Sequence, residues 1–284
     1  MRNRAVALSA TAAVFWGISA AVAGGVFDVV SPSRVTQFRA IVVALVFIPI
    51  VAFRGAPPLK GSRLLLIAFG FTLGLMMFSY YWAIRLLGVG PGATLQFMGP
   101  VLVLAWSRWV RGHRYCPLIW AAALLSVVGV GLVVQAWDVD QLDFVGVSAG
   151  GLAAVMFAIY LVLAEKLSHR LPAMAVTGYG FGIAAVAFTV IYPLQSFPSD
   201  LSARVWIDLG IVAILGSLLP FLMEISAVRW LAAGLVGVIA TLEPVVAAIL
   251  GFVLLDQVLT PVQVLGSILV VTGVAIVSTA TEPS

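Results

Sequence analysis

The chain has 284 residues, of which 63% are hydrophobic and only 9% charged, and its mean hydropathy is +1.17. An average soluble domain carries roughly 25% charged residues, so this composition cannot cover a water-facing surface and places the chain in a bilayer. One cysteine, Cys116, and two histidines, His113 and His169, exclude a disulfide scaffold and a His/Cys metal cage; no metal and no other cofactor is expected. A formal charge of +4 would hint at nucleic acid in a soluble protein, but most arginines here sit between apolar runs, where they report topology, and nucleic acid is not an expected partner.

A helix needs about 20 apolar residues to cross roughly 30 Å of hydrocarbon, because lipid offers no partners for backbone amides. Ten segments qualify: 5–27, 35–53, 63–84, 92–107, 117–136, 144–164, 172–194, 205–227, 231–254 and 261–279. The first follows Met1-Arg2-Asn3-Arg4 and is longer than the apolar core of a signal peptide, so it reads as an uncleaved span. The separators are short turn or charge signals, such as Gly55-Ala56-Pro57-Pro58 and Arg111-Gly112-His113-Arg114; Gly88-Val89-Gly90-Pro91-Gly92 reads as a tight loop. With the amino terminus inside, the inner side receives Arg2, Arg4, Arg54, Lys60, Arg63, Arg108, Arg111, Arg114, Lys166, Arg170 and Arg229. The outer side receives only Arg34, Arg85 and Arg204, and that bias orients a multi-pass inner-membrane protein with both ends cytoplasmic. Asp138, Asp140 and Asp143 then face outward as a solvated turn, since the Gly and closing Glu of a calcium loop are missing.

Two glycine patterns, Gly70/Gly74 and Gly178/Gly182, are spaced for close helix contact. Gly146-Val147-Ser148-Ala149-Gly150 matches a hydrolase string, but it begins a span, follows no strand and has no histidine at its depth. No phosphate-binding G-x-x-x-x-G-K-[ST] string exists, which excludes ATP hydrolysis by this chain.

Sliding the chain on itself by 144 residues aligns Arg85 with Arg229, Gly90 with Gly234, Pro100 with Pro244, Pro117 with Pro261 and Gly129 with Gly273, without a gap between residues 80 and 134. Shared arginine, proline and glycine positions mark an internal repeat, with halves at 1–137 and 144–284. Each half holds five spans, and an odd number sends the second half into the membrane from the opposite side. The expected fold is therefore an all-α integral membrane protein of ten transmembrane helices, arranged as two inverted five-helix repeats. Such an arrangement opens alternately to either side by exchanging the conformations of its halves, so the expected activity is transport.

Ala227-Val228-Arg229-Trp230-Leu231, Leu242-Glu243-Pro244-Val245-Val246-Ala247-Ala248, Leu259-Thr260-Pro261, Gly266 and Gly273-Val274 together resemble the EamA domain of the drug/metabolite transporter superfamily. Two such domains would cover nearly the whole chain. Leu219-Pro220-Phe221-Leu222-Met223-Glu224-Ile225-Ser226-Ala227 with Glu243-Pro244 resembles the branch that exports threonine, homoserine and other amino acids. The resemblance implies a small-molecule substrate, an amino acid or similar metabolite, met within the lipid bilayer.

Interrupted spans at matching places in two halves point to a transporter's binding site, and Gly99-Pro100 and Glu243-Pro244 form such a pair. A proline there frees a carbonyl one turn earlier and leaves either a half-helix end facing a wet cavity or a packing kink. Glu243 lies roughly 18 Å from the inner surface at about 1.5 Å per residue. A carboxylate at that depth binds a substrate ammonium, carries a coupling proton, or braces the kink. Glu224, nearer the inner end, is within reach of water and is either a gate partner of Arg229 or an interface carboxylate. Arg39, roughly 6 Å below the outer surface, either snorkels or holds a substrate carboxylate bidentately. Trp16 falls near the middle of the first span, Tyr80 and Tyr81 end the third, Gln96 precedes Pro100 by one turn, and Tyr160 and Tyr179 place hydroxyls within later spans. An apolar cavity dotted with these groups suits aliphatic or aromatic amino acids and also a quaternary cation, although helix packing competes as the role of each ring.

The expected function is export of small metabolites, most of all amino acids, by alternating access. A drug or organic-cation exporter is the nearest rival. A nucleotide-sugar carrier needs several cavity-facing basic groups and has only Arg39. An intramembrane enzyme acting on lipids needs paired aspartates or a Ser/His pair at one depth, which the spans lack, and a purely structural subunit needs no polar cavity. Nothing in the sequence sets an oligomeric state.

Overall fold

The computed structural model describes residues 1–27, 29–87, 89–137, 143–198, 200–254 and 258–279, and every regular element among them is helical. In chain order these are α1 (Arg2–Phe27), α2 (Pro32–Phe53), α3 (Arg63–Leu87), α4 (Val89–Gln96), α5 (Gly99–Trp109) and α6 (Pro117–Val133). They continue with α7 (Phe144–Ser168), α8 (Ala173–Ile191), α9 (Ala203–Ala213), a π-helical turn (Ile214–Leu218), α10 (Leu219–Ala227), α11 (Ala233–Ala240), α12 (Leu242–Leu254) and α13 (Pro261–Thr279).

Eight stretches are long and apolar enough to cross a membrane: Arg2–Val22, Pro32–Phe53, Arg63–Leu87, Phe144–Ser168, Ala173–Ile191, Ala203–Ala227, Ala233–Val253 and Pro261–Thr279. Pro117–Val133 is a shorter apolar helix, and α4 and α5 divide the stretch between α3 and α6 at Phe97-Met98. Large apolar side chains such as Leu45, Phe53, Leu64, Val186 and Ile207 stand exposed on the bundle's outside. Water would punish that surface and lipid does not, so the chain is a multi-pass membrane protein.

Local chemistry sets the helix ends. Pro32, Pro117 and Pro261 open α2, α6 and α13, the position where a missing N–H removes no bond. Asp143 caps α7, its carboxylate accepting from the Gly146 N–H at 2.8 Å; Asp138 and Asp140 lie outside the described residues. The tight loop expected from Gly88 to Gly92 is a correction: Gly88 lies outside the described residues, but α4 already begins at Val89. Gly90 and Gly92 are carried within a helix that Pro91 is free to enter, because a proline is tolerated in the first turn. The fourth, eighth and ninth expected spans are likewise not single rods, each being broken at the positions given above.

Small residues bring the helices together. A Cβ on Gly70 would stand 2.8 Å from the Gly180 carbonyl, and one on Gly178 2.9 Å from Phe47 Cβ, so both glycine pairs are contact sites of α3 and α2 with α8. The same holds between α6 and α13. A Cβ on Gly129 would meet the Gly266 carbonyl at 2.7 Å, and one on Gly273 would meet the Ala122 carbonyl at 2.6 Å. Adding 144 to residues 122 and 129 gives 266 and 273, so the two contacts are one contact with its halves exchanged.

The two ends of the bundle are tied by polar groups. At one, buried Arg34 donates to Gln37 Oε1 at 2.7 Å and to the carbonyls of Tyr192, Pro193 and Ser196, joining α2 to the end of α8. At the other, Glu165 of α7 pairs with Arg111, just past α5, and its second oxygen accepts the Ala233 N–H at 3.1 Å, capping α11. A further ion pair, Arg204–Asp208, lies one turn apart on α9.

A polar cavity between the two repeats

Both halves wall a cavity of about 120 Å³. From α1 come Trp16, Ser19, Ala20 and Phe27; from α2, Arg39; from α3, Met76, Met77, Tyr80, Tyr81 and Ile84; and from the break between α4 and α5, Gln96 and Phe97. The second half supplies Phe157, Gly216, Phe221, Glu224, Ala240 and Glu243. Two pairs, Tyr80 with Glu224 and Gln96 with Ala240, are separated by 144 residues, so repeat-related positions meet at one place.

Three prolines explain the polar backbone here. In an α-helical ladder each N–H bonds the carbonyl four residues earlier, and proline has no N–H to give. Pro100, Pro220 and Pro244 therefore withhold that donor from Gln96, Gly216 and Ala240, and all three of those residues line the cavity. The Gly216 carbonyl has found other donors. Trp16 Nε1 donates to it at 3.0 Å, and an Arg39 amino group donates to it as well. Arg39 also donates Nε to Ser217 Oγ at 2.7 Å and lies 5.3 Å from the Tyr81 ring centroid. Gly216 and Ser217 lie inside the π-helical turn, which displaces their backbone toward α1 and α2. A π turn of this kind is often found at functional sites.

Arg39 is thus turned inward and only 6% exposed, which corrects the snorkelling alternative. No direct ion pair links it to Glu243, which lines the same cavity. Glu224 is also corrected: it does not reach water. It is 1% exposed, and its Oε2 accepts from the Tyr160 hydroxyl at 2.8 Å. The reason is helical phase, since Phe221 and Glu224 face the cavity while Leu222, Met223 and Ser226 line a groove on the opposite side of α10. That groove also takes Arg229, whose guanidinium lies over Trp230 at 5.4 Å and not beside Glu224.

Of the residues singled out from sequence, Trp16, Arg39, Tyr80, Tyr81, Gln96, Glu224 and Glu243 come together. Tyr160 stands behind Glu224, in an aromatic layer with Phe69, Phe157 and Phe221. Tyr179 lies elsewhere, in an apolar groove shared by α2, α3 and α8. Pro100 and Pro244 sit at their helix breaks: Pro100 opens α5, and Pro244 follows Thr241, whose hydroxyl bonds the Val238 carbonyl at 2.6 Å. Sequence reasoning missed Gly216, Ser217, Met76, Met77, Phe157 and Phe221. Only the first two carried a signal, a Gly-Ser pair one turn before Pro220, which is a known cause of helix distortion.

The model of the EamA-like transporter family matches residues 3–135 and again 144–279. The threonine/homoserine exporter RhtA of Escherichia coli (strain K12) is 29% identical over 252 residues, covering 87% of this chain and 81% of that protein. RhtA of Salmonella typhimurium (strain LT2) is 26% identical over the same length and shares. A solved structure described only as the crystal structure of a protein superposes with a TM-score of 0.81 at 21% identity, over 97% of this chain and 96% of that one. At that identity the likeness concerns the fold alone. With two copies of the family's unit spanning nearly all of its length, the chain belongs to the EamA-like transporter family.

Proposed function

We propose that the protein exports small amino acids across the inner membrane by alternating access. Ten crossings, five in each of two inverted repeats, move as two halves about the contact of α6 with α13, and both termini are cytoplasmic. The observation that carries the substrate class is the cavity itself: a small space walled by both halves and lined by Arg39, Glu224 and Glu243, with no direct ion pair between the guanidinium and either carboxyl group. Opposite charges held apart in an aromatic box suit a zwitterion. A drug-sized ligand needs roughly 300–1,000 Å³, which about 120 Å³ does not provide. The threonine/homoserine exporters among its relatives support the same class.

In this reading Arg39 holds the substrate carboxylate, for which a planar guanidinium is suited. Its hydrogen bonds to Gly216 and Ser217 aim it. The cavity extends toward Phe27 and Ile84, at the carboxyl ends of α1 and α3, which the charge bias places outside. The groove on the far side of α10, beside Arg4 and Arg229, is the inner approach. Glu243, at the helix break and opposite Arg39, carries the coupling proton: occupied by a proton it no longer balances the guanidinium, and empty it does.

Proteoliposomes loaded with threonine, homoserine, an aromatic amino acid or a lipophilic cation test the reading. Threonine and homoserine are expected to move against a gradient when a proton gradient is imposed, and Glu243→Gln to abolish that accumulation while preserving binding. Flux of the lipophilic cation alone overturns the amino-acid assignment, and proton-driven accumulation by Glu243→Gln overturns the coupling role.

A further inference from the structure

Two acceptor atoms in the cavity have no protein partner. Glu224 is 1% exposed and Gln96 8%, both line the cavity, and Glu224 Oε1 and Gln96 Oε1 are each buried without a hydrogen bond. A buried acceptor left unmade is costly, most of all on a carboxylate. Tyr160 turns Glu224 Oε2 away toward α7, so the open oxygen is fixed in place and cannot rotate to find the same donor. Arg39, the cation nearest in function, is engaged by the π-helical turn.

Resting on the amino-acid reading above, we infer that Glu224 Oε1 and Gln96 Oε1 form the ammonium-binding end of the cavity, and that Glu243 leaves this task to them. An ammonium group brings three N–H donors and no acceptor. Two satisfy the open oxygens. The third suits the carbonyl of Gln96 or of Ala240, each deprived of its ladder donor by the proline four residues on. The rings of Phe157 and Phe221, also in the cavity wall, exclude competing water, and a ring face turned to an ammonium group attracts it. Substrate is thereby read at both poles: the carboxylate by a first-half arginine, the ammonium by one side chain from each half. The class that fits is a free α-amino acid with a short side chain, in contrast to a simple amine or a hydroxy acid.

Three probes separate the poles: L-homoserine, 4-hydroxybutyrate, which lacks the ammonium, and 3-aminopropan-1-ol, which lacks the carboxylate. Calorimetric binding to the full-length purified protein is measured for wild type, Glu224→Gln, Glu224→Asp and Glu243→Gln. Wild type is expected to prefer homoserine over 4-hydroxybutyrate by about tenfold or more, the scale of one charge-assisted bond. Glu224→Gln keeps an oxygen for Tyr160 but offers an N–H where an acceptor stood, so it is expected to erase that preference without weakening 4-hydroxybutyrate. Glu224→Asp retains a carboxylate and is expected to keep part of the preference, which a merely structural role would not require. If Glu224→Gln keeps the full preference, or if Glu243→Gln is the variant that erases it, the inference falls while the amino-acid reading stands. If wild type binds none of the three, both fall.

Discussion

Gly17 offers the sharpest test of how the cavity is built. A Cβ added there would stand 2.7 Å from Val246 Cβ, 2.8 Å from Val246 Cγ1 and 2.9 Å from the Glu243 carbonyl oxygen. Carbon atoms rest at about 3.5–4.0 Å, so α1 and α12 must separate by about 1 Å, and neither a backbone carbonyl nor a Cβ can swing aside. Overpacking of this kind costs roughly 1–3 kcal/mol. Alanine also gains about 0.5–1 kcal/mol over glycine within a helix, and a control removes that gain from the comparison. Gly210, in α9, has no heavy atom within 4 Å of its added Cβ, so Gly210→Ala collects the helix gain alone. The difference in stability between the two variants is then the overpacking cost itself. Melting of the purified proteins in one detergent should place Gly17→Ala clearly below wild type and Gly210→Ala at or above it. Because the displaced element carries Glu243, transport should fall in the first and persist in the second. Gly17→Ala melting as high as Gly210→Ala would refute the close approach of α1 to α12.

Three further outcomes are expected. Tyr160→Phe strips Glu224 Oε2 of its donor, and leaving a buried acceptor unpaired costs roughly 1–3 kcal/mol; melting should drop by more than for a phenol-to-phenyl change at a lipid-facing site. Asp143→Ala removes the cap of α7 and should cost about 0.5–2 kcal/mol, with transport unchanged at temperatures well below melting. Tyr179→Phe, in a separate groove outside the cavity, should alter neither melting nor flux; lost transport in that variant would mean that the substrate path runs beside α8.

Much of the bundle was legible because membrane chemistry is restrictive. Lipid forbids irregular backbone, so apolar length alone found the eight long spans, and Pro100 and Pro244 marked two of the breaks. The aim of individual side chains was harder. Helices apolar on every side carry no stripe to separate a lipid face from a packed one, so Tyr179 and Tyr160 looked alike in sequence, although one lies on an outer groove and the other is fully buried. Glu224 looked shallow by distance along its helix, and only the phase of α10 against Tyr160 buried it. Met76, Met77 and Phe157 wall the cavity through ordinary apolar surface, which no motif distinguishes. The π-helical turn needed two observations at once: a proline denying its ladder bond to Gly216, and donors on α1 and α2 placed to take that carbonyl.

The capping of α11 by Glu165 joins distant events mechanically. This helix has eight residues, about 12 Å at 1.5 Å per residue, too short to bend. One tip is held by the carboxylate that also grips Arg111, and the other ends at the Thr241 turn, directly before Glu243. A pull on the first tip is delivered to the second without being absorbed, so loosening the clasp at the far end of the bundle would re-aim the Glu243 carboxyl in the cavity, as a pushrod sets a valve.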